Sequence, residues 1–167
     1  MVEVLVALVI IAFGLLGIAK IQALAYASTG TAGLRSLAAI EASGMASAMR
    51  ANRLYWASGL APDPITVQGN AIVSADAALA APVDCAQGGA NAPCTPHDLA
   101  AFDLQAWAND LRALLPNDTA IVSCPVINNP ISCTIQIGWT EHLVAINAQG
   151  ASGAGMAAPT FVVYVQP

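Results

Sequence analysis

The chain has 167 residues, of which 57 % are hydrophobic and only 9 % are charged. This length allows one ordinary globular domain and one additional element. Four of the five basic residues precede Tyr55, whereas the chain from Ala57 onward carries eight acidic residues and one arginine. Because an acidic domain repels a phosphate backbone, no nucleic-acid partner is indicated.

The first element is an apolar segment near the N-terminus. No residue from Val4 to Ala19 carries a charge. A bilayer core requires roughly 20 helical residues, so we expect a membrane-spanning helix with Lys20 near the far interface. A cleaved secretory signal is the alternative, but such signals begin with positive charge, and here the front carries Glu3. We therefore predict that residues 1–27 form a transmembrane helix.

Glu3 is the unusual residue of this segment. A carboxylate in a membrane span costs about 2–3 kcal/mol at the centre and less near an end, so it usually has a partner. Alternatively, the carboxylate lies in the headgroup region or interacts with the positive N-terminus of the helix. The residues themselves leave both interpretations open.

A helical period continues beyond the span, over residues 28–56. Arginines and serines fall on one side of this part, and Glu41 falls inside the apolar stripe, where we expect a solvated edge position rather than an ion pair. One helix from about Val2 to Tyr55 would be on the order of 80 Å long, so its second half must leave the bilayer and pack on a domain. Three glycines weaken this helix, at Gly30, Gly33 and Gly44. The apolar stripe consists of Leu34, Leu37, Ala38, Met45, Ala48 and Met49.

Residues 57–167 are predicted to form a globular head. Its first part, from Ala57 to Pro93, is rich in Ala, Gly, Pro, Asp and Asn and has little periodicity. We expect an irregular connection there, with short strands at Ile65–Val67 and Ala71–Ser74.

A second helix is well marked in the head. Thr95 is a plausible N-cap, Pro96 suits the first helical position, and Asp98 lies three residues after the cap. An apolar face follows, and the helix should end before Pro116.

The rest of the head has a strand pattern. We predict strands at Ala120–Ile127, Ile131–Glu141 and Thr160–Gln166, of which the middle one alternates apolar and polar residues. A turn at residues 128–130 makes the first two an antiparallel hairpin, and residues 147–159 read as a Gly/Ala-rich loop. The predicted fold class is therefore α+β: a long N-terminal helix packed on a small antiparallel β-sheet head with one extra helix.

The four cysteines suggest two disulfides and an oxidising compartment. Of the three possible connectivities we favour the sequence-local pairs, Cys85–Cys94 and Cys124–Cys133. Reduced, buried thiols are one alternative. A zinc site from Cys85, Cys94, His97 and a further ligand is another, but the spacing lacks the short Cys-x-x-Cys of structural zinc sites, so we expect no metal.

An enzyme would need a site built around one of the two histidines. The candidates are His97 with Asp98, and Glu141 with His142. Adjacent residues of a strand point to opposite faces, which weakens the second pair. Because the sequence contains no nucleophile motif, phosphate loop or metal spacing, we expect neither catalysis nor a cofactor.

The N-terminal sequence resembles a known family. The stretches Glu3–Ile10 and Gly14–Ala19 resemble the N-terminal core of the type IV prepilins. Three further stretches, Met49–Arg53, Phe102–Pro116 and Ile135–Trp139, are similar to minor pilins of the PilV type. The likeness covers most of the chain and is densest at its N-terminus.

This resemblance implies a structural subunit held in the bacterial inner membrane by one span, with its head in the periplasm. Such subunits leave the bilayer and pack helix against helix into a pilus at the cell surface. The implied partners are other minor and major pilins and the pilus assembly machinery, and the implied role is priming of assembly, near the filament tip. Glu3 matches the family glutamate that pairs with a neighbouring subunit's N-terminal amine. The residues implied to pack in the filament are Val4, Leu5, Leu8, Val9, Phe13 and Leu16.

The sequence departs from the family pattern at one point. The family has a basic leader, a glycine before the cleavage point and a phenylalanine-threonine pair, whereas here Met1-Val2 stands directly before Glu3. Cleavage and N-methylation are therefore not assigned. Two other readings remain: a minor pseudopilin of a type II secretion system, which shares the helix, and a membrane-anchored periplasmic binding protein or enzyme.

Overall fold

The computed structural model describes most of the chain, namely residues 2–85, 93–127, 129–142 and 156–167. The chain divides into two compact units. The first contains residues up to Gly33 together with His142–Ala157, and the second contains Leu34–Glu141 together with Ala158–Pro167. The sequence predicts the first boundary earlier, after residue 27.

Helix α1 runs from Val2 to Ala51 without interruption. It passes through Gly30, Gly33 and Gly44 as a regular helix, although these glycines were expected to weaken it. In the first unit, His142 and Met156–Ala157 also belong to a two-stranded sheet, in which β5 (Glu141–His142) pairs with β6 (Met156–Ala157).

The helix predicted to reach Tyr55 is broken at Asn52. Asn52 leaves helical geometry, with φ −108° and ψ 53°, and its side-chain amide donates a hydrogen bond to the carbonyl of Pro96 at 2.6 Å. A separate turn of helix follows, α2 (Arg53–Trp56). The break buries Tyr55 and Trp56, which are 2 % and 0 % exposed. Burial of such aromatic side chains contributes on the order of 1.5–3 kcal/mol each. Part of this gain is offset, because the Tyr55 hydroxyl and the Trp56 indole N–H are buried without a hydrogen-bond partner among the described residues.

Five antiparallel strands form the sheet of the second unit. In the order of their pairing, β2-β1-β3-β4-β7, they are Ala71–Val73, Ile65–Gln68, Thr119–Ser123, Cys133–Gly138 and Thr160–Val165. The register aligns Ile65, Val122, Ile135 and Val163 across four strands. Because side chains alternate along a strand, these residues and those two positions away face the core.

Helix α3 (Pro96–Leu114) has the ends that its sequence predicts. The Thr95 hydroxyl accepts a hydrogen bond from the backbone N–H of Asp98, and the Asp98 carboxylate accepts one from the backbone N–H of Thr95. This capping box satisfies two N–H groups that a helix start leaves unpaired. Its inner face buries Leu104, Trp107 and Leu111.

One core joins the second half of α1, α3 and the sheet. Helix α1 contributes Met45 and Met49, and small residues between them allow close packing. The two disulfides are Cys85–Cys94 and Cys124–Cys133, the pairs favoured from the sequence. The architecture is therefore α+β, as predicted: a long N-terminal helix whose second half packs with a five-stranded antiparallel sheet, with further helices.

Several predicted boundaries need correction. The segment expected to be irregular contains a short 3₁₀ helix at Ala77–Ala80, which Asp76 caps by accepting a hydrogen bond from the N–H of Ala78 at 3.0 Å. The long strand predicted at Ile131–Glu141 is two strands, β4 and β5. Residues 156–157, predicted as loop, form β6. The predictions for residues 86–92, 128 and 147–155 fall outside the described residues.

Candidate functional site

The N-terminal part of α1 is the first candidate site. Glu3 lies in its first turn. All six residues implied to pack in a filament are exposed: Val4, Leu5, Leu8, Val9, Phe13 and Leu16 each leave 52–70 % of their surface uncovered. Other apolar residues at different angles around the helix, such as Val6, Ile10 and Ile21, are equally exposed. The segment is therefore apolar around its whole circumference, which is typical of a helix that another apolar medium covers.

The same segment is a candidate membrane anchor. It is long and apolar enough to cross a bilayer, and none of its most apolar window is buried within the protein. Gly14 and Gly17 have open space where a side chain would be, so another helix can approach closely there.

The threonine hydroxyls that follow this segment donate hydrogen bonds to backbone carbonyls of the same helix. Thr29 donates to the carbonyl of Ala25 at 2.9 Å, and Thr31 donates to the carbonyl of Ser28 at 2.9 Å. These local bonds satisfy the hydroxyls within the helix and reduce their polarity.

The second unit contains an ion pair between Arg35 of α1 and Glu141 of β5. Arg35 donates from Nε and Nη2 to the two carboxylate oxygens of Glu141, at 3.1 Å each, and the indole N–H of Trp139 donates to the same carboxylate at 3.1 Å. The Glu141 side chain is 2 % exposed, while that of Arg35 is 64 % exposed. The hydrogen bonds from Arg35 lower the pKa of Glu141, against the opposing effect of desolvation. The same bonds raise the pKa of Arg35.

Sequence reasoning did not find this pair. The helical period places Arg35 on the polar side of α1, and the sequence pairs Glu141 only with His142. A signal was nevertheless present: Glu141 continues the alternation of core-facing positions through Ile137 and Trp139. An acidic residue at a core-facing position indicates a basic or hydrogen-bonding partner.

His97 lies in a cleft of about 370 Å³. Its Nε2 atom is 2.7 Å from Oδ2 of Asp76, and its ring packs edge-on against Tyr55, whose pKa burial raises to about 12. Asp98, the partner considered from the sequence, is 4.0 Å from Nδ1 of His97 and serves the capping box. Hydrogen bonds from His97 and from the backbone of Ala78 lower the pKa of Asp76.

The carboxylates of this cleft also contribute to local structure. Both carboxylates near His97 already cap helix starts. Among the residues that the structure describes, no three His, Cys, Asp or Glu side chains cluster to hold a metal. The zinc alternative is wrong because both of its cysteines, Cys85 and Cys94, are joined in a disulfide.

Glu41 lies in a groove of about 180 Å³ between α1 and α3, together with Asp103 and Asp110. Desolvation, and then the charge of Asp110, raises the pKa of Glu41. Desolvation also raises the pKa of Asp103. Glu41 is half-buried rather than the solvated edge residue expected, and its backbone carbonyl accepts a hydrogen bond from the Trp107 indole at 3.2 Å.

Comparisons with protein-family models, with curated proteins and with solved structures found no match to this chain.

Proposed function

We propose that this chain is a minor pilin-like structural subunit of the PilV type, which takes part in priming and assembly of a type IV pilus. In this proposal the first half of α1 holds the subunit in the bacterial inner membrane, with the head in the periplasm. After extraction from the bilayer, the same helical segment packs against the helices of other pilins in a filament at the cell surface.

The single observation that carries the proposal is the exposed apolar segment of α1. Phe13 and Leu16 are 70 % and 67 % exposed, and no charged residue lies between Val4 and Ala19. Covering a large apolar side chain contributes on the order of 1.5–3 kcal/mol, so the eleven such residues exposed between Val4 and Ala19 strongly favour a covered state. A bilayer supplies that cover before assembly, and neighbouring helices supply it afterwards.

The continuity of α1 is a further supporting feature, which a simple membrane anchor does not require. Helix α1 continues from the exposed segment into the core of the second unit, where Met45 and Met49 are buried.

Glu3 supports the same proposal. A carboxylate is uncommon in a membrane-spanning segment, and within the apolar interior of a filament the amino terminus of a neighbouring subunit would supply a positive partner for it. Such a pair fixes the axial position of one helix relative to the next, because apolar contacts alone are non-directional.

The test is deletion of the gene at its native locus, followed by electron microscopy of surface filaments and complementation. We expect fewer filaments in the deletion strain, restoration by the wild-type gene, and recovery of the chain in the sheared filament fraction. Unchanged filament number, together with a chain that remains in the membrane fraction, would refute the proposal. Loss of protein secretion with normal pili would assign the chain to a secretion pseudopilus instead.

A further inference from the structure

A cleft of about 510 Å³ lies at one end of the five-stranded sheet, where β1 ends and β3 begins. One wall is the loop between β1 and β2, and the other is the connection from α3 to β3. We call it the Asp118 cleft. Its polar side chains are Gln68, Asn70, Arg112, Asn117 and Asp118. None of these five belongs to α1, on which the proposed function depends.

The turns on both walls fix the position of Asp118. Gly69 has φ +58° at the first position of a two-residue hairpin loop, where glycine is favoured. Asn117 has φ +49°, a left-handed conformation that asparagine tolerates, and its side-chain amide donates to the hydroxyl of Thr140 at 2.8 Å. The backbone N–H of Gly69 donates to the Asp118 carboxylate, and this bond joins the two walls.

Asp118 is only 5 % exposed, and one of its carboxylate oxygens is unsatisfied. The backbone N–H groups of Gly69 and of Asp118 itself donate to the carboxylate. Oδ2 has no hydrogen-bond partner among the described residues, so both of these bonds end on Oδ1. Desolvation raises the pKa of Asp118 despite the two bonds. Because buried polar groups are normally hydrogen-bonded, Oδ2 indicates a position to which a ligand can donate.

Arg112 carries the opposite charge on the same cleft. It lies in the last turn of α3, is exposed, and forms no ion pair within the part of the chain that the structure describes. A guanidinium presents parallel N–H donors that match a carboxylate. The cleft therefore offers one position for a cation and one for a carboxylate.

A ligand with a single charge fits these two groups poorly. Asp118 is the single carboxylate among the described residues of the cleft, whereas a divalent cation requires several oxygen ligands and is repelled by Arg112. A simple anion is repelled by Asp118. A zwitterion satisfies both groups, because its ammonium donates to Asp118 and its carboxylate accepts from Arg112. The carboxamides of Gln68, Asn70 and Asn117 both donate and accept hydrogen bonds, so they favour a ligand with a polar side chain.

We infer that the Asp118 cleft binds a free polar α-amino acid, with its ammonium group on Asp118 and its carboxylate on Arg112. Both charged groups of an α-amino acid are attached to one carbon atom, so they fit together within one cleft. This binding goes beyond the assembly role and does not rest on it, because α1 contributes no residue to the cleft.

The test is saturation-transfer NMR of L-glutamine with the full chain in lipid nanodiscs, and empty nanodiscs supply the blank. We expect a signal that saturates as the concentration of L-glutamine rises. N-acetyl-L-glutamine lacks the ammonium group and L-glutaminamide lacks the carboxylate, so each should bind about tenfold more weakly. Asp118→Asn and Arg112→Gln should each weaken the binding of L-glutamine about tenfold, because each removes one of the two charges.

Two matched variants control for the loss of charge itself. Asp110→Asn removes an exposed carboxylate of α3, and Arg50→Gln removes an exposed guanidinium of α1, both outside the cleft. Both should bind L-glutamine as the wild type does, and circular dichroism should show that all four variants fold. A signal that does not saturate would overturn the inference, as would equal binding by the wild type, Asp118→Asn and Arg112→Gln.

The amino-acid derivatives provide a test that does not depend on the folding of any variant. Equal binding of L-glutamine and L-glutaminamide to the wild type would overturn the inference, because a cation alone would then suffice. Equal binding of N-acetyl-L-glutamine would overturn it as well, because Asp118 would then have no role in recognition.

Discussion

Arg35 of α1 and Glu141 of β5 are joined by two parallel hydrogen bonds, although 106 residues separate them in the chain. The carboxylate is buried and the guanidinium is largely exposed, so the two partners do not contribute equally. Removing the arginine leaves a desolvated carboxylate, with Trp139 as its remaining side-chain donor among the described residues. Breaking the pair from the glutamate side leaves an exposed cation that water solvates.

The first prediction concerns this asymmetry. Arg35→Ala should lower the unfolding temperature of the chain more than Glu141→Gln does, because only the first variant strands a buried carboxylate. Arg35→Lys should restore the stability only in part, since an ammonium group cannot form the two parallel bonds. Thermal unfolding followed by circular dichroism measures all three. Arg50→Ala, an exposed arginine of the same helix, is the control, and an equal loss in that variant would contradict the prediction.

The second prediction is a pH dependence. Hydrogen bonds from Arg35 hold the pKa of Glu141 below its ordinary value of 4.5 in the folded protein. A group with a lowered folded pKa stabilises the fold above its unfolded pKa, and this contribution is lost as the pH falls through the folded pKa. We therefore expect the unfolding temperature to fall below about pH 4.5 more steeply in the wild type than in Glu141→Gln. If the unfolding temperatures of the two proteins fall equally at acid pH, the Arg35–Glu141 pair does not contribute to the pH dependence of stability.

The sequence contains the local features of this fold. Thr95, Pro96 and Asp98 predict the start of α3, because a capping box is made by residues three apart. The alternation from Ile131 to Trp139 likewise predicts which face of β4 is buried. Both patterns depend on neighbours in the chain, so they can be recognised in the amino-acid sequence.

Contacts between distant segments were not readable in the same way. The pairing of Asp76 with His97 depends on the 3₁₀ helix at Ala77–Ala80, which lies in a segment without periodicity. The break at Asn52 depends on the carbonyl of Pro96, which is 44 residues away. Tertiary partners determine these features, and residues 28–56 alone predict a continuous helix.

A third prediction follows from the acidic groove. Desolvation raises the pKa of both Glu41 and Asp103, so their charged forms destabilise the folded protein at neutral pH. For a carboxyl group with a raised folded pKa, this destabilisation disappears as the pH falls below the unfolded pKa. Glu41→Gln and Asp103→Asn should therefore raise the unfolding temperature at pH 7, and the gain should vanish near pH 3.

The Trp107 indole provides the control for that experiment. It bonds to the backbone carbonyl of Glu41, so Glu41→Gln leaves this contact in place, and tryptophan fluorescence should not shift. A lower unfolding temperature for both variants at pH 7 would mean that the carboxylates have stabilising partners and would contradict the prediction.

The fourth prediction concerns the two disulfides. Cys124 and Cys133 are 3 % and 0 % exposed, whereas Cys85 and Cys94 are half-buried. Mild reduction with alkylation and mass mapping should therefore open Cys85–Cys94 first, since thiol exchange requires access to the sulfur. Replacing Cys124 and Cys133 by serine should cost about 2–3 kcal/mol of unfolding free energy for a loop of this length. Simultaneous opening of both bridges under native conditions would contradict the expected order.

The fifth prediction tests the role proposed for Glu3. Glu3→Ala, introduced at the native locus, should reduce the amount of the chain in sheared filaments by about tenfold, if pairing of the carboxylate contributes on the order of 1.5 kcal/mol. The unfolding temperature of the head should not change, because the first turn of α1 lies outside the core that Met45 and Met49 join. Glu41→Gln is the matched control, since it removes a carboxylate from the same helix without touching the exposed segment. Equal filament content in the wild type and both variants would leave the apolar segment as an anchor but remove Glu3 from assembly. If only Glu3→Ala lowers the filament content, the carboxylate has a role in alignment that is distinct from burial of the apolar segment. Both variants keep the apolar residues from Val4 to Ala19.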